Sequence, residues 1–81
     1  MAVTLLYFAW VREATGVSEE AVTLSEGVET VADLAAWLAK RYPVFADTSK
    51  LRAAIDQTIA VMDTPIAGAR EIAFFPPMTG G

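Results

Sequence analysis

The 81-residue chain contains neither cysteine nor histidine. Without cysteine it can form no disulfide, no thiolate metal site and no thiol nucleophile. Without histidine, the commonest general base and the commonest metal ligand are both missing. A self-contained catalytic centre would have to rest on carboxylates, lysines and hydroxyls, which argues against an independent enzyme and against a metal bound by this chain alone. Basic residues are scarce as well: six Lys and Arg stand against ten Asp and Glu, for a net charge of −4. No basic stripe is present, so nucleic-acid binding is not expected. The longest unbroken apolar run, Leu5 to Val11, is far too short to span a bilayer. Nothing at the start of the chain reads as a basic n-region or a cleavage site, so the expectation is a cytoplasmic protein with no membrane partner.

What the chain does have is apolar surface. Apolar residues make up 54% of it, and the mean hydropathy is +0.41. A body of this size buries only a little more than about 60% of its unfolded surface, so this composition implies one domain with an apolar face turned to a partner. Charge is uneven. Residues 1–39 hold six acids (Glu13, Glu19, Glu20, Glu26, Glu29, Asp33) and one base, Arg12, whereas residues 40–81 hold five bases and four acids. The acidic half can steer association with a basic partner or serve only as a solvated surface.

Val3 to Ala9 is rich in β-branched and aromatic residues and reads as a strand with two apolar faces, Val3, Leu5 and Tyr7 on one and Leu6 and Phe8 on the other, as in a strand covered on both sides. Trp10 to Thr15 reads as a short helical turn that Gly16 ends. Residues 20–24 alternate as a second strand, and 25–27 form a turn. Thr30 to Tyr42 is the main helix: Thr30 is placed as N-cap with Asp33 three residues on, and Val31, Leu34, Ala35, Leu38 and Tyr42 form one stripe. Pro43 stops it, and Trp37, off the stripe, is either edge packing or a partner contact. Residues 43–50 read as irregular with a helical turn near 49–52. Strands at 53–56 and 58–62 flank a tight turn at Asp56-Gln57, and the last strand, Glu71 to Phe75, is ended by Pro76. The order β-β-α-β-β-β predicts a two-layer α+β domain over residues 1–75. Phe74 and Phe75 must point to opposite faces, so one packs under the helix and the other lies on the uncovered face.

Residues 76–81, Pro-Pro-Met-Thr-Gly-Gly, read as an extended C-terminal tail without a charged side chain. The prolines cannot join a helix, and six extended residues reach about 20 Å. Gly81 places an α-carboxylate on a carbon with no side chain, and Gly80 allows close approach to another surface. This is the shape of an arm that carries a carboxyl end into another protein's active site; the plain alternative is a frayed terminus.

Three stretches carry a specific likeness: Leu6-Tyr7-Phe8-Ala9-Trp10-Val11-Arg12-Glu13; Ala54-Ile55-Asp56-Gln57-Thr58 with Asp63-Thr64-Pro65-Ile66; and Glu71-Ile72-Ala73-Phe74-Phe75-Pro76-Pro77-Met78-Thr79-Gly80-Gly81. With them the chain resembles, over essentially its whole length, the small sulfur-carrier subunits of molybdopterin synthase. The closing signature is the specific part. The resemblance implies a ubiquitin-like β-grasp fold with a mixed five-stranded sheet and one main helix on one face. Two departures stand out: family members usually show Asn where this chain has Asp56, and an Asp-Gly-Asp-Glu turn where it has Gly68-Ala69-Arg70-Glu71.

The resemblance also implies chemistry. An adenylyltransferase of the ubiquitin-activating type uses ATP to join AMP to the Gly81 carboxylate, sulfur displaces the AMP, and the resulting thiocarboxylate donates sulfur within the large synthase subunit to build the dithiolene of molybdopterin. No cofactor and no metal is bound by the small subunit itself, and the assembly is a heterotetramer. By this likeness Gly81 and Gly80 carry the chemistry, and Phe8, Arg12, Ile59 and Phe75, with Pro76, Pro77, Met78 and Thr79 of the tail, are candidate partner contacts. Ordinary core is the alternative for Phe8 and Ile59, and a solvated side chain for Arg12. The rival functions are a sulfur carrier for thiamine or for tRNA thiolation, a ubiquitin-like protein modifier, and a passive interaction module whose tail does no chemistry.

Overall fold

The computed structural model describes residues 2–77. Five strands form one sheet: β1 (Ala2–Tyr7), β2 (Glu19–Thr23), β3 (Arg52–Ile55), β4 (Thr58–Ala60) and β5 (Glu71–Phe75). Their order is β2-β1-β5-β3-β4, with β1 and β5 parallel and the other pairs antiparallel. Helix α1 (Ala9–Thr15) follows β1, and α2 (Val31–Leu38) supplies the main covering helix. This is the mixed β-grasp arrangement that the closing signature implies.

The register sorts residues onto two faces. Val3, Leu5 and Tyr7 of β1 lie level with core-facing partners: Leu5 pairs with Ile72, Tyr7 with Phe74, and Phe74 in turn with Ala53. All of these are buried, together with Val31, Leu34, Ala35 and Leu38 of α2. The apolar i, i+3, i+4, i+7 spacing of α2 is therefore the stripe that closes the core. Phe45 joins it, its ring 5.0 Å from that of Phe74 in an edge-on arrangement, a favoured aromatic geometry. Trp37 is half-buried at the margin of this cluster, which favours the edge-packing reading. The expectation that β1 is covered on both sides does not hold. Leu6 is only half-buried and Phe8 is exposed, on the face opposite the buried stripe of α2.

Local chemistry sets the boundaries. Thr30 Oγ1 accepts from the Asp33 amide (3.2 Å), while Asp33 Oδ2 accepts from the Thr30 amide (3.2 Å), a complete capping box. At the other end α2 stops at Leu38, short of the expected Tyr42. The Leu38 carbonyl accepts from both Arg41 and Tyr42, which tightens the last turn, and Tyr42 is already extended (φ −127°) as a residue before proline must be. The segment after it, expected to be mostly irregular, makes two 3-10 turns, Pro43–Ala46 and Thr48–Lys50. The second is capped by Asp47, whose carboxylate accepts from the Ser49 amide. Gly16 closes α1 at φ +84°, its amide donating to the Arg12 carbonyl.

Asp56 and Gln57, the centre of the β3–β4 turn, both have positive φ (48° and 72°), as a primed hairpin turn requires. Asp56 Oδ1 accepts from the amides of Arg70 and Glu71, each at 3.0 Å, and so ties this turn to the start of β5. An asparagine oxygen in the same place could accept the same two bonds, so this departure from the family pattern keeps the connection.

One polar cluster lies inside the cover. Glu20 Oε2 accepts from the hydroxyls of Tyr7 (2.8 Å) and Tyr42 (3.0 Å), and its Oε1 pairs with Arg41 at 3.5 Å. Burial, then the Glu20 carboxylate, push the Tyr7 phenol well above its ordinary value, and Tyr42 shifts the same way for the same reasons. Phenols held neutral in the folded state contribute stability that is fully present below about pH 10 and is lost as the pH rises past it. Urea unfolding between about pH 8 and 11 should therefore show stability falling on the alkaline side, with a shallower fall in Tyr7→Phe. Parallel curves for the two proteins would exclude Tyr7 as the titrating group.

Candidate functional site

The uncovered face follows from the same register. Ala54 pairs with Ala73 on one side and Ile59 on the other, and Arg52 pairs with Phe75. Leu6 lies level with Ala73. Phe8 continues the alternation of β1 in extended backbone (φ −122°, ψ 153°), its amide donating to the Phe74 carbonyl at 3.1 Å. Leu6, Phe8, Ala54, Ile59, Ala73 and Phe75 thus share one apolar surface. Phe8 is 49% exposed and Ile59 68%, so neither belongs to the core, and the core alternative for both is set aside. Phe75 is half-buried on this face while Phe74 is fully buried on the other, the split that strand alternation demands. Val61, 69% exposed just beyond β4, extends the patch; the sequence carried no signal for it beyond its apolar type.

Arg12 lies on α1 with an exposed side chain. Among the described residues the ion pair within 4.0 Å is that of Arg41 with Glu20, on the covered side of the sheet. Arg12 is thus exposed and has no ion pair among the described residues. The chain leaves β5 at Phe75 and runs through Pro76 and Pro77, both half-buried. These two line an open groove with Trp10 and Lys50. Neither Trp10 nor Lys50 was singled out from the sequence: Trp10 was one member of an apolar run, and Lys50 one base among six. Met78, Thr79, Gly80 and Gly81 lie outside the described residues. No group of three or more His, Asp or Glu side chains suited to a metal occurs among the described residues, and no helix there is long and apolar enough to cross a membrane.

The open apolar face brings together Phe8, Ile59 and Phe75, and Phe75 leads into Pro76 and Pro77. If Ile59 contributes nothing to the core, Ile59→Ser should change unfolding free energy by no more than about 0.5 kcal/mol, whereas Phe74→Ala, two strands away on the buried side, should cost about 3–5 kcal/mol. Urea denaturation of the two variants checks this, and a loss above about 1 kcal/mol for Ile59→Ser would place it in the core.

Comparison with known proteins bears on the same residues. The ThiS family matches residues 5–81. The molybdopterin synthase sulfur carrier subunit of Escherichia coli is 36% identical over 80 residues, covering 98% of this chain and 99% of that protein. The protein of the same name from Mycobacterium tuberculosis is 35% identical over 81 residues, covering 98% and 96%. Among solved structures, a Pyrococcus furiosus chain described as molybdopterin converting factor subunit 1 superposes with a TM-score of 0.77 at 26% identity, covering 96% of this chain and 99% of its own. Small archaeal modifier protein 1 of Haloferax volcanii superposes with a TM-score of 0.76 at 22% identity, covering both chains in full, and shares the fold. With the closing signature, the two faces of the sheet and these matches all in agreement, the chain belongs to the ThiS family, among the sulfur carrier subunits of molybdopterin synthase.

Proposed function

We propose that this chain is the sulfur carrier of a molybdopterin synthase and works through a thiocarboxylate at Gly81. The observation that carries this reading is that the family match runs to residue 81, through the whole Phe74-Phe75-Pro76-Pro77-Met78-Thr79-Gly80-Gly81 run, and not only through the folded body. A carboxylate is a poor acyl donor because its charge repels nucleophiles. Joining it to AMP, with pyrophosphate leaving from ATP, supplies a leaving group. Sulfur from a donor then forms the C–S bond as AMP departs. The product is ionised and nucleophilic at neutral pH. When the sulfur has passed to the pterin precursor, the terminal carbon must take an oxygen from water to return to the carboxylate. The chain's own residues do none of the activation: ATP belongs to an adenylyltransferase of the ubiquitin-activating type, and the pterin chemistry to the large subunit. The chain needs no cofactor and no metal of its own, and its work is placed in the cytoplasm.

In this reading the large subunit seats on the face carrying Phe8, Ile59 and Phe75, with Arg12 at the rim, and the tail from Pro76 through Thr79 enters its active site. Two small and two large subunits form the assembly. Phe75, the last residue of the central strand β5, is the anchor, since a few aromatic residues dominate interface energies. Phe75→Ala should weaken binding to the large subunit by more than about 1 kcal/mol with the fold kept, as read by calorimetric titration; unchanged affinity would remove Phe75 from the interface.

The direct test is the intact mass of the chain after incubation with ATP, a sulfur source and a cognate activating enzyme. Replacement of one oxygen by sulfur, localised to Gly81, is expected. A chain extended by one residue beyond Gly81 should neither gain sulfur nor donate it, because the reactive carboxylate is displaced. An unchanged mass, with the activating enzyme shown to work on another carrier, would leave a passive interaction module.

A further inference from the structure

The sheet can hold the chain only as far as Phe75. That residue pairs with Arg52, and its neighbour Phe74 pairs with Tyr7 and accepts from the Phe8 amide. Pro76 and Pro77 have no N–H, so no ladder bond can be donated from either. Yet both prolines are half-buried, so side chains must fix their direction. The groove of about 670 Å3 beside them is walled by Trp10 and Lys50. Lysine offers a flexible stem, whereas the indole is a rigid plate with few rotatable bonds.

Trp10 reaches this place by an unusual route. Ala9, between β1 and the body of α1, has φ +53°, a left-handed conformation unfavourable for a residue with a Cβ. The corner is held from both sides. The Phe8 amide is bonded to β5, and the Phe8 carbonyl accepts from Val11 and Arg12, which closes the first turn of α1. Val11 is fully buried and pins the helix to the core. Strain of this kind persists where surrounding contacts over-determine it and is concentrated at functional sites. Trp10 follows this corner directly and lines the same groove as Pro76 and Pro77.

We infer that Trp10 is a positioning residue: from the Ala9 corner it sets the direction in which Pro76 and Pro77 leave the sheet, and so the line along which the carboxyl end enters the large subunit. The inference rests on the carrier reading above. Proline φ is locked near about −65°, so Pro76 and Pro77 themselves hold a set direction more firmly than other residues would. Trp10 touches no reacting atom; it acts through the prolines.

The test uses the full chain in both its carboxylate and thiocarboxylate forms. In the carboxylate form, NMR should show cross-relaxation between the Trp10 indole protons and the ring protons of Pro76 or Pro77; its absence would overturn the inference whatever the chain's function. In the thiocarboxylate form, Trp10→Ala and Trp10→Gln should unfold near the wild-type temperature and bind the large subunit within about threefold of wild type. Their single-turnover sulfur transfer at saturating large subunit should be slower by about tenfold, with Trp10→Phe restoring most of the rate. A wild-type saturated rate in a folded Trp10→Ala or Trp10→Gln, or a defect confined to affinity, would overturn the positioning role. Wild-type thiocarboxylate that transfers no sulfur would sink the carrier reading itself and this role with it, a result distinct from a variant that matches an active wild type.

Discussion

The parallel pairing of β1 with β5 is the constraint on which the rest depends. It lays the first strand beside the last, Leu5 against Ile72 and Tyr7 against Phe74. Because side chains alternate, the same pairing settles both faces at once: the stacked Tyr7 and Phe74 rings, 6.5 Å apart, go under α2, and Leu6 and Ala73 go to the open side. A slip of one residue would exchange the two sets, exposing the core aromatics and burying the open apolar face. The pairing also ends beside Phe8, so the corner into α1 and the exit of the carboxyl-terminal segment share one end of the sheet.

Around this pair the protein divides its work between buried and open surfaces. The covered side holds the aromatic and aliphatic core and one polar cluster in which every buried side-chain polar atom has a partner among the described residues. Glu20 meets two phenols and a guanidinium there, joining β2 to the segment after α2 and so bracing one edge of the sheet. The open side holds short apolar side chains at its centre, Ala54 and Ala73, ringed by the larger Leu6, Phe8, Ile59 and Phe75. Small side chains in the middle with larger ones at the margins offer apolar area for contact.

Much of this was legible in the chain. The capping pair Thr30 and Asp33, the stripe of α2, the turn at Asp56-Gln57 and the stop at Pro76 follow from local chemistry, and the structure keeps them. The opposite orientations of Phe74 and Phe75 follow from strand geometry alone. What could not be read was set by contacts distant in sequence. The helix ends four residues early because the Tyr42 side chain is drawn to Glu20, 22 positions away, while Pro43 extends its backbone. Ala9 in a left-handed corner is contrary to its propensity, and only the bonds from Phe8 to β5 and α1 explain it. Trp10 and Lys50 are brought to one groove with the prolines by the tertiary fold, which no spacing in the sequence announces. The tail residues from Met78 onward were read from sequence and family likeness alone.

The β1–β5 pairing has a consequence for how the protein comes into being. Because β5 is a central strand, the sheet cannot close until residue 75 has been synthesised and released for pairing with residues some seventy positions earlier. Contacts so distant along the chain form late and slowly. Until then β1–β2 and β3–β4 lack the strand that lies between them in the sheet. The strand that fills the gap is the one that leads directly into Pro76 and Pro77. Completion of the body and emergence of its root are thus a single event, and a chain arrested before Phe75 has no finished sheet to present to a partner.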